Sequence, residues 1–265
     1  MRYTFPRLNA TKFLTIVILF GILISFISAN WSDGGLIRPN AWPLIVEIVS
    51  AIWSLDLSAV FLKIAINATA TTIAYAASGL SLAVLLALPL GILASGTLFR
   101  SLVVRVVGML SIRSVLALLR SIHELVWAWL IIVAIGFSPA AAILAIAIPY
   151  SAILARIYAD LLNDVPQQPI AALRASGANE FKVLLYGRLP MALPNMVSYT
   201  FYRFECAIRS AAIFSFVGIG GLGYQIQLSL DDLRFEQVWT LLGFLVLVIA
   251  LVDFWSNLVR SKLVK

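Results

Sequence analysis

The sequence predicts an all-α fold, a polytopic membrane bundle of about six transmembrane helices. The chain has 265 residues, of which 62% are hydrophobic and only 12% are charged. A soluble domain contains about 45–50% apolar and about 25% charged residues. Uncharged apolar runs also recur along the chain, and several reach the length of about 20 residues that a helix needs to cross a bilayer.

The runs predict six spans in chain order. They cover residues 13–29, 64–95, 115–137, 140–161, 195–217 and 237–255. The second run is rich in Ala, Ser, Thr and Gly, which is typical of a helix packed closely against its neighbours. Between the spans we expect a short surface helix over 42–53, an amphipathic helix over 100–114 and an external loop over 224–236.

Charge patterning orients the spans. Lys and Arg concentrate near the N-terminus, at Arg100 and Arg105, in residues 166–190 and at the C-terminus. The positive-inside rule therefore predicts that both termini are cytoplasmic. We divide the chain into an N-terminal helix with an external segment (1–62), a core (63–258) that contains the cytoplasmic loop 166–190, and a tail (259–265).

Composition also excludes several classes of function. The single cysteine, Cys206, excludes an internal disulfide and a Cys-based metal cluster. The single histidine, His123, excludes a multi-histidine metal site. No catalytic cluster is visible, and the net charge of +7 marks cytoplasmic loops rather than a nucleic-acid partner. We expect no catalytic residue, metal or cofactor on this chain. If its function consumes energy, we expect a separate chain to supply that energy.

The loop 166–190 is the most unusual polar stretch. Residues 167–176 favour a helix, Gly177 stands where a helix ends in the left-handed region, and Asn179 predicts the N-cap of a second helix through Tyr186. Pro190 then precedes the next apolar run. A compact polar unit between two spans predicts a docking surface, which we call the coupling loop (residues 166–190).

Five ionisable residues fall at membrane depth, where each costs about 2.5–3.5 kcal/mol on insertion scales. Arg120 and Glu124, like Glu205 and Arg209, are four residues apart and are predicted to share a helix face. Arg203 has no such partner in the sequence. Two interpretations stay open: structural ion pairs, or a positively biased lining for an anionic solute, which the paired donors of Arg suit.

A glycine-rich segment follows the fifth span. Its glycines are Gly218, Gly220, Gly221 and Gly223. They match a dinucleotide-binding pattern only formally, because no strand–helix context surrounds them. We expect a broken helix end here, which serves either as a gate or as a simple turn.

The coupling loop resembles the cytoplasmic loop of permeases from ABC-type importers. That family's pattern is Glu-Ala-Ala, three residues, Gly, nine residues, then Ile-x-Leu-Pro. The matching residues are Ala172, Gly177, Leu189 and Pro190, and the departures are Ala171 for Glu, Leu173 for Ala and Gly187 for Ile. The resemblance implies that the first helix of the loop docks on an ATPase, with Arg174 as a surface contact.

Three segments are similar more specifically to permeases of phosphonate-type importers. They are residues 120–136, 172–190 and 198–223, and the resemblance covers roughly residues 60–258. It implies a type I ABC importer fold in a bacterial inner membrane, a second permease subunit, two ATP-binding subunits that carry ATP and Mg, and an external solute-binding protein. The implied substrate is phosphonate, phosphite or a related phosphorus oxyanion. A permease for another solute, such as methionine, and an ATP-independent transporter or channel remain alternatives.

Overall fold

A computed structural model describes residues 10–28, 41–99 and 101–263, and these described residues contain helices and no strands. The chain divides into two compact units, Met1–Ser50 and Ala51–Lys265. The first unit contains α1 (Ala10–Ser28) and α2 (Ala41–Ser50). The predicted segment 30–40 and Arg100 lie outside the described residues, and the division of the chain at residues 62 and 258 stays a prediction.

The second unit contains the other helices. They are α3 (Ala59–Ser95), α4 (Leu102–Ser121), α5 (Glu124–Ile135), α6 (Pro139–Asn163), α7 (Gln167–Ala175), α8 (Glu180–Val183), α9 (Leu189–Phe214), α10 (Leu222–Asp231) and α11 (Phe235–Leu263). Wider π-helical turns, Leu184–Arg188 and Ser215–Ile219, flank α9 on both sides. A short 3₁₀ turn, Ala51–Trp53, opens the unit.

The membrane architecture confirms the predicted fold class. Within the described residues, five helices are long and apolar enough to cross a bilayer, namely α1, α3, α4, α6 and α11. A bent pair, Glu180–Ile219 and Leu222–Asp231, supplies a sixth span if it is counted as one. The side chains of α1 are exposed from Thr11 to Ser28, as apolar side chains in contact with lipid can be.

Helices α3 and α6 form the centre of the second unit, and small residues allow their backbones to approach closely. An added Cβ at Gly79 would lie 2.7 Å from the Cβ of Ile146, and one at Gly91 would lie 2.9 Å from the Cβ of Tyr158. Membrane helices pack in this way because hydrocarbon offers no hydrophobic driving force between them. The close packing predicted from the composition of the second run is confirmed.

The third predicted span, 115–137, is wrong. The chain instead forms α4, which is long enough to cross a bilayer, and the shorter α5. Ile122 and His123 adopt extended backbone angles between them, and His123 Nδ1 accepts a hydrogen bond from the Leu125 N–H as the N-cap of α5. The amphipathic surface helix expected over 100–114 is therefore the first part of α4.

The external loop predicted over 224–236 is also wrong, because most of it is α10. The helix buries Leu222, Ile226 and Ser229 on one side, at the spacing of three and four residues that an amphipathic helix requires. Only three residues then separate α10 from α11. The fourth and sixth spans are confirmed as α6 and α11.

Candidate functional site

The coupling loop begins with α7, which ends at Ala175, and Gly177 follows in the left-handed position predicted beyond the helix end. The Ala178 N–H donates to the Leu173 carbonyl at 3.1 Å, and the Gly177 N–H donates to the Arg174 carbonyl at 3.0 Å. This is the Schellman pattern of a helix C-terminus. Gly177 has a φ of +83°, in the left-handed region that favours glycine. The chain therefore reverses sharply at this residue.

A bidentate ion pair spans the reversal. Arg174 donates from Nε to Glu180 Oε1 at 3.0 Å and from Nη2 to Oε2 at 2.9 Å. The hydrogen bonds that Arg174 donates to Glu180 raise the pKa of Arg174 above its usual value. Asn179 accepts from the Lys182 N–H at 2.9 Å, which confirms the predicted N-cap. Arg174 thus closes the loop on itself, and its predicted contact with a partner remains a prediction.

The coupling loop has an apolar underside and an exposed outer face. Ile170 is fully buried, and a Cβ added at Gly187 would lie 2.9 Å from its Cδ1. A larger residue at position 187 would therefore require the end of the Ile170 side chain to shift. Outside, α7 exposes its alanines, and Phe181 and Tyr186 are 60% and 70% exposed.

The second helix of the loop does not end where the sequence predicted. Helix α8 continues through the π turn into α9 without a break, so the separate helix expected from Asn179 to Tyr186 is wrong. The Leu189 N–H bonds to the Leu184 carbonyl, five residues back. Pro190 has no N–H to donate and is tolerated in the first turn of α9. The second half of the coupling loop and α9 therefore form one continuous helical segment.

Arg188 ties the same segment to α6. Its side chain is only 7% exposed, and Nη1 donates to the Leu162 carbonyl at 2.7 Å. A cation at the C-terminus of a helix also interacts favourably with the helix dipole. This role could not be predicted, because no local pattern near position 188 indicates a contact with residue 162.

Arg120 and Glu124 do not form the predicted pair. Arg120 is exposed in the last turn of α4, while Glu124 begins α5 after the break at Ile122–His123. The helix that was expected to carry both on one face is interrupted between them. The two residues therefore have separate surroundings.

Glu124 instead joins a polar network that links three helices. Ser210 Oγ in α9 donates a short hydrogen bond to Glu124 Oε2. The Tyr150 hydroxyl in α6 lies 3.0 Å from Ser210 Oγ and donates to it, because Ser210 has only one proton to give. Ser210 and Tyr150 were missed by sequence reasoning, since the contacts join positions 60 and 86 residues apart.

Glu205 and Arg209 form the predicted pair on α9. Glu205 is 13% exposed, whereas half of the Arg209 side chain is exposed. The pair therefore belongs to the margin of the bundle rather than to its centre.

Arg203 is held by aromatic side chains. Its Nε and Nη2 donate to the Tyr199 hydroxyl at 3.0 and 2.6 Å. The guanidinium carbon lies 5.2 Å from the Tyr199 ring centroid and 5.5 Å from that of Tyr202. Among the described residues, no carboxylate lies within 4.0 Å of it. Its positive charge is stabilised by ring faces.

The glycine segment bends the chain by 51° between α9 and α10. Gly218, Gly220 and Gly221 have φ values of +101°, +91° and +103°, whereas Gly223 lies inside α10 and packs against the backbone of α9. The break predicted here is confirmed, and its role as a gate stays a prediction.

Helix α3 anchors this bend through two side chains that sequence reasoning missed. Thr72 Oγ1 accepts from the Leu222 N–H at 2.9 Å, and the Tyr75 hydroxyl donates to the Ile219 carbonyl at 3.2 Å. Because the freed backbone groups of the break are satisfied in this way, the bend has a defined geometry.

Comparisons with known proteins agree with this arrangement. The profile of the family described as binding-protein-dependent transport system inner membrane component matches residues 87–265. HtxC of Stutzerimonas stutzeri, which is assigned to phosphite transport as a permease, is 28% identical over 223 residues, 84% of this chain and 75% of HtxC. The phosphite transport system permease protein PtxC of the same organism is 30% identical over 149 residues, 56% of this chain and 54% of PtxC.

A solved structure shares the fold. The structure of the MetNI methionine ABC transporter in an inward-facing conformation contains a chain with a TM-score of 0.68 to this one. The two are 22% identical, and the match covers 78% of this chain and 99% of that one. At this identity the likeness concerns the fold, and it supports the type I importer architecture expected from the sequence.

Proposed function

Because this chain belongs to the family of binding-protein-dependent transport system inner membrane components, we propose that it is the permease of an ATP-driven importer for a phosphorus oxyanion. The family resemblance predicted from the sequence is confirmed. The chain is a multi-pass inner-membrane protein and a transport permease rather than an enzyme. ATP and Mg would be bound by partner subunits, and this chain would carry no cofactor.

The proposed substrate is phosphite, phosphonate or a closely related oxyanion. The observation that carries this proposal is the similarity to two permeases named for phosphite transport. The cationic residue Arg203, with no carboxylate against it among the described residues, is compatible with an anionic solute. Arginine suits phosphorus oxyanions because its planar fork donates two parallel hydrogen bonds.

The proposed partners are two ATP-binding subunits, a second permease and an external solute-binding protein. The exposed residues of the coupling loop, which include the alanines of α7 and the side chains of Phe181 and Tyr186, would supply the surface on which an ATP-binding subunit docks. This arrangement requires the coupling loop and both termini to lie in the cytoplasm, which the distribution of Lys and Arg supports. The glycine bend would then lie at the outer mouth.

The structure suggests how closure of the ATP-binding subunits would reach the pathway. Movement of α7 would pull on α8 through the Arg174–Glu180 pair and the packing of Ile170 against Gly187. Since α8 is continuous with α9, and Arg188 is bonded to the end of α6, both helices would shift together. Alternating access would follow from their movement relative to the second permease, with the solute passing Arg203, Arg209 and Arg120.

An uptake assay tests the proposal. This chain is expressed, together with the ATP-binding and solute-binding proteins encoded beside it, in a host strain that lacks its own phosphite and phosphonate importers. The accumulation of each oxyanion in the cells is then measured. Growth on phosphite or methylphosphonate as the sole phosphorus source is expected, and a catalytically inactive ATP-binding subunit should abolish it. Uptake that persists with the inactive subunit would favour an ATP-independent transporter. ATP-dependent uptake of methionine alone would contradict the proposed substrate.

A further inference from the structure

A polar groove of about 280 Å³ lies between α6, α9 and α11. Its polar lining comes from Asn195, Ser198, Tyr199 and Tyr202 on α9 and from Arg260 in the last turn of α11. Helix α6 contributes only apolar side chains, near its C-terminus. The groove therefore lies at the end of the bundle that carries the coupling loop.

The polar side chains of this groove supply donors and no carboxylate. Arg260 Nη2 donates to Asn257 Oδ1 at 2.6 Å, but its Nε is buried and has no acceptor in the described part of the chain. The side chains of Asn195, Ser198 and Tyr202 are also without a hydrogen-bond partner there. A buried donor without a partner destabilises the protein, and an acceptor bound in the groove would remove that penalty.

A second cation, Arg203, packs against the rings of Tyr199 and Tyr202. Arg203 donates both of its hydrogen bonds to the oxygen of Tyr199, which leaves the Tyr199 hydroxyl proton free to donate. The closest balancing acid on α11, Asp253, reaches Arg260 only indirectly, because it accepts from Asn257 Nδ2 at 3.1 Å. The groove thus combines the guanidinium of Arg260 with several neutral donors, and Arg203 packs against its two tyrosines without lining it.

We propose that this groove binds a phosphorus oxyanion through Arg260, Ser198 and Tyr202. The tetrahedral anion offers several strong acceptor oxygens, and guanidinium groups bind such oxygens with charge-assisted hydrogen bonds. Two sources share this chemistry: the headgroup of an anionic phospholipid at the bilayer surface, and a free phosphate or phosphonate. The proposal that the groove binds an anion depends only on its hydrogen-bond donors. A role for the free anion in transport rests on the proposed function.

The test measures ligand binding by the full-length chain without any ATP-binding subunit. The purified protein in an uncharged detergent is titrated at constant ionic strength with inorganic phosphate, methylphosphonate, short-chain phosphatidylglycerol or short-chain phosphatidylcholine. Thermal unfolding reports binding, because a ligand that binds only the folded state raises the Tm in a concentration-dependent way. We expect saturable stabilisation by one class of phosphorus anion and none by phosphatidylcholine.

Matched variants locate the site. Arg260→Gln should weaken the apparent affinity by about tenfold or more, as loss of a charge-assisted hydrogen bond does. Tyr202→Phe and Ser198→Ala remove one hydroxyl each and should weaken it several-fold, which keeps the test valid if Arg260→Gln fails to fold. Arg234→Gln removes the same charge at an exposed position outside the groove and should leave the affinity unchanged.

The outcomes separate the sources. Stabilisation by phosphatidylglycerol alone identifies a lipid headgroup, and stabilisation by phosphate or methylphosphonate identifies the free anion. An absence of saturable stabilisation by any phosphorus anion overturns the proposal, as does binding that the groove variants leave unchanged. Because no transport is measured, a failure of this site is distinguishable from a failure of the uptake assay.

Discussion

Arg174 and Glu180 face each other across the turn at Gly177, and two guanidinium nitrogens of Arg174 donate to the two oxygens of the Glu180 carboxylate. The pair joins α7 to α8, the two halves of the coupling loop. Arg174 is 47% and Glu180 is 23% exposed, so water screens the attraction. Exposed pairs contribute about 0.2–1 kcal/mol to stability. The pair is therefore better suited to fixing the angle of α7 than to holding the fold together.

Arg174→Glu should reduce uptake strongly while the protein remains in the membrane. Two carboxylates would then face each other across the turn, and their repulsion would displace α7 from α8. Uptake of the labelled oxyanion by whole cells, divided by the amount of permease in the membrane fraction, gives the effect. Wild-type uptake in this variant would contradict any coupling role for Arg174.

The double variant Arg174→Glu with Glu180→Arg separates an internal role from a contact with the ATP-binding subunit. If the pair only sets the geometry of the loop, reversing both charges restores most of the uptake. If Arg174 itself contacts the partner, the double variant stays as defective as the single one. Lys182→Gln, which removes a neighbouring exposed cation outside the pair, serves as the control.

Gly177→Ala should destabilise the coupling loop by about 1–2 kcal/mol, the cost of the left-handed conformation for a residue with a Cβ. No atom lies within 4 Å of the added Cβ, so conformation alone decides the result. Gly243→Ala is the matched control, because this site in α11 is equally open and helical. There the change should be neutral or stabilising.

Limited proteolysis of the purified chain measures this effect, because cleavage within the coupling loop reports its local opening. Faster cleavage in Gly177→Ala than in Gly243→Ala is expected, with the same fragments as in the wild type. Equal rates in the two variants would show that the positive φ at Gly177 is not needed for the loop.

Local rules account for the parts of the fold that the sequence predicted correctly. Gly177 ends one helix and Asn179 begins another for reasons that lie within a few residues of each position. The spans followed from composition, because hydrocarbon admits only long apolar helices. The break at His123 could not be found in this way, since the apolar pattern continues on both sides of it. Similarly, the polar residues of Tyr224–Asp231 predicted a loop, but the segment belongs to a helix that buries one face.

The candidate site was predictable only as a set of residue types. The ionisable residues at membrane depth stood out by their cost, but their partners depend on packing between distant helices. Glu124 bonds to Ser210 and not to Arg120, and Arg203 is held by Tyr199 and Tyr202. Tyrosine and serine carry no charge, so no pattern of charges in the sequence could have indicated them.

Gly221→Ala should disrupt the bend much more than Gly220→Ala. Both glycines have positive φ values, but only the Cβ added at Gly221 would crowd its neighbours, at 2.6 Å from Ser215 Oγ and 2.8 Å from Thr72 Oγ1. Thr72 would then have to give up its hydrogen bond from the Leu222 N–H. Loss of that bond in a buried place costs about 1–3 kcal/mol.

Thermal unfolding of the purified chain compares the two variants directly. Gly220→Ala carries the conformational cost alone, so the difference in Tm isolates the steric contribution at Gly221. Thr72→Val should reproduce much of the Gly221→Ala effect, because it removes the acceptor while conserving the shape of the side chain. A Tm for Gly221→Ala at or above that of Gly220→Ala would contradict this account of the bend.

Arg203 decides between the two interpretations of the charged residues in α9. If its cation serves the solute, Arg203→Gln should lower uptake by about tenfold or more, equivalent to about 1.4 kcal/mol, with little loss of protein from the membrane. Arg203→Lys keeps the charge but loses the planar fork, and should retain part of the uptake with a raised KM. Arg234→Gln removes the same charge at an exposed position outside the proposed pathway and provides the control. Tyr199→Phe removes the hydroxyl that orients Arg203 and leaves the ring face in place.

A structural role for Arg203 predicts that Tyr199→Phe and Arg203→Gln lower the protein level and uptake in parallel. A role in the pathway predicts that the Arg203 variants lower uptake per molecule of permease while the arginine control does not, and equal uptake per molecule in all four variants would exclude it.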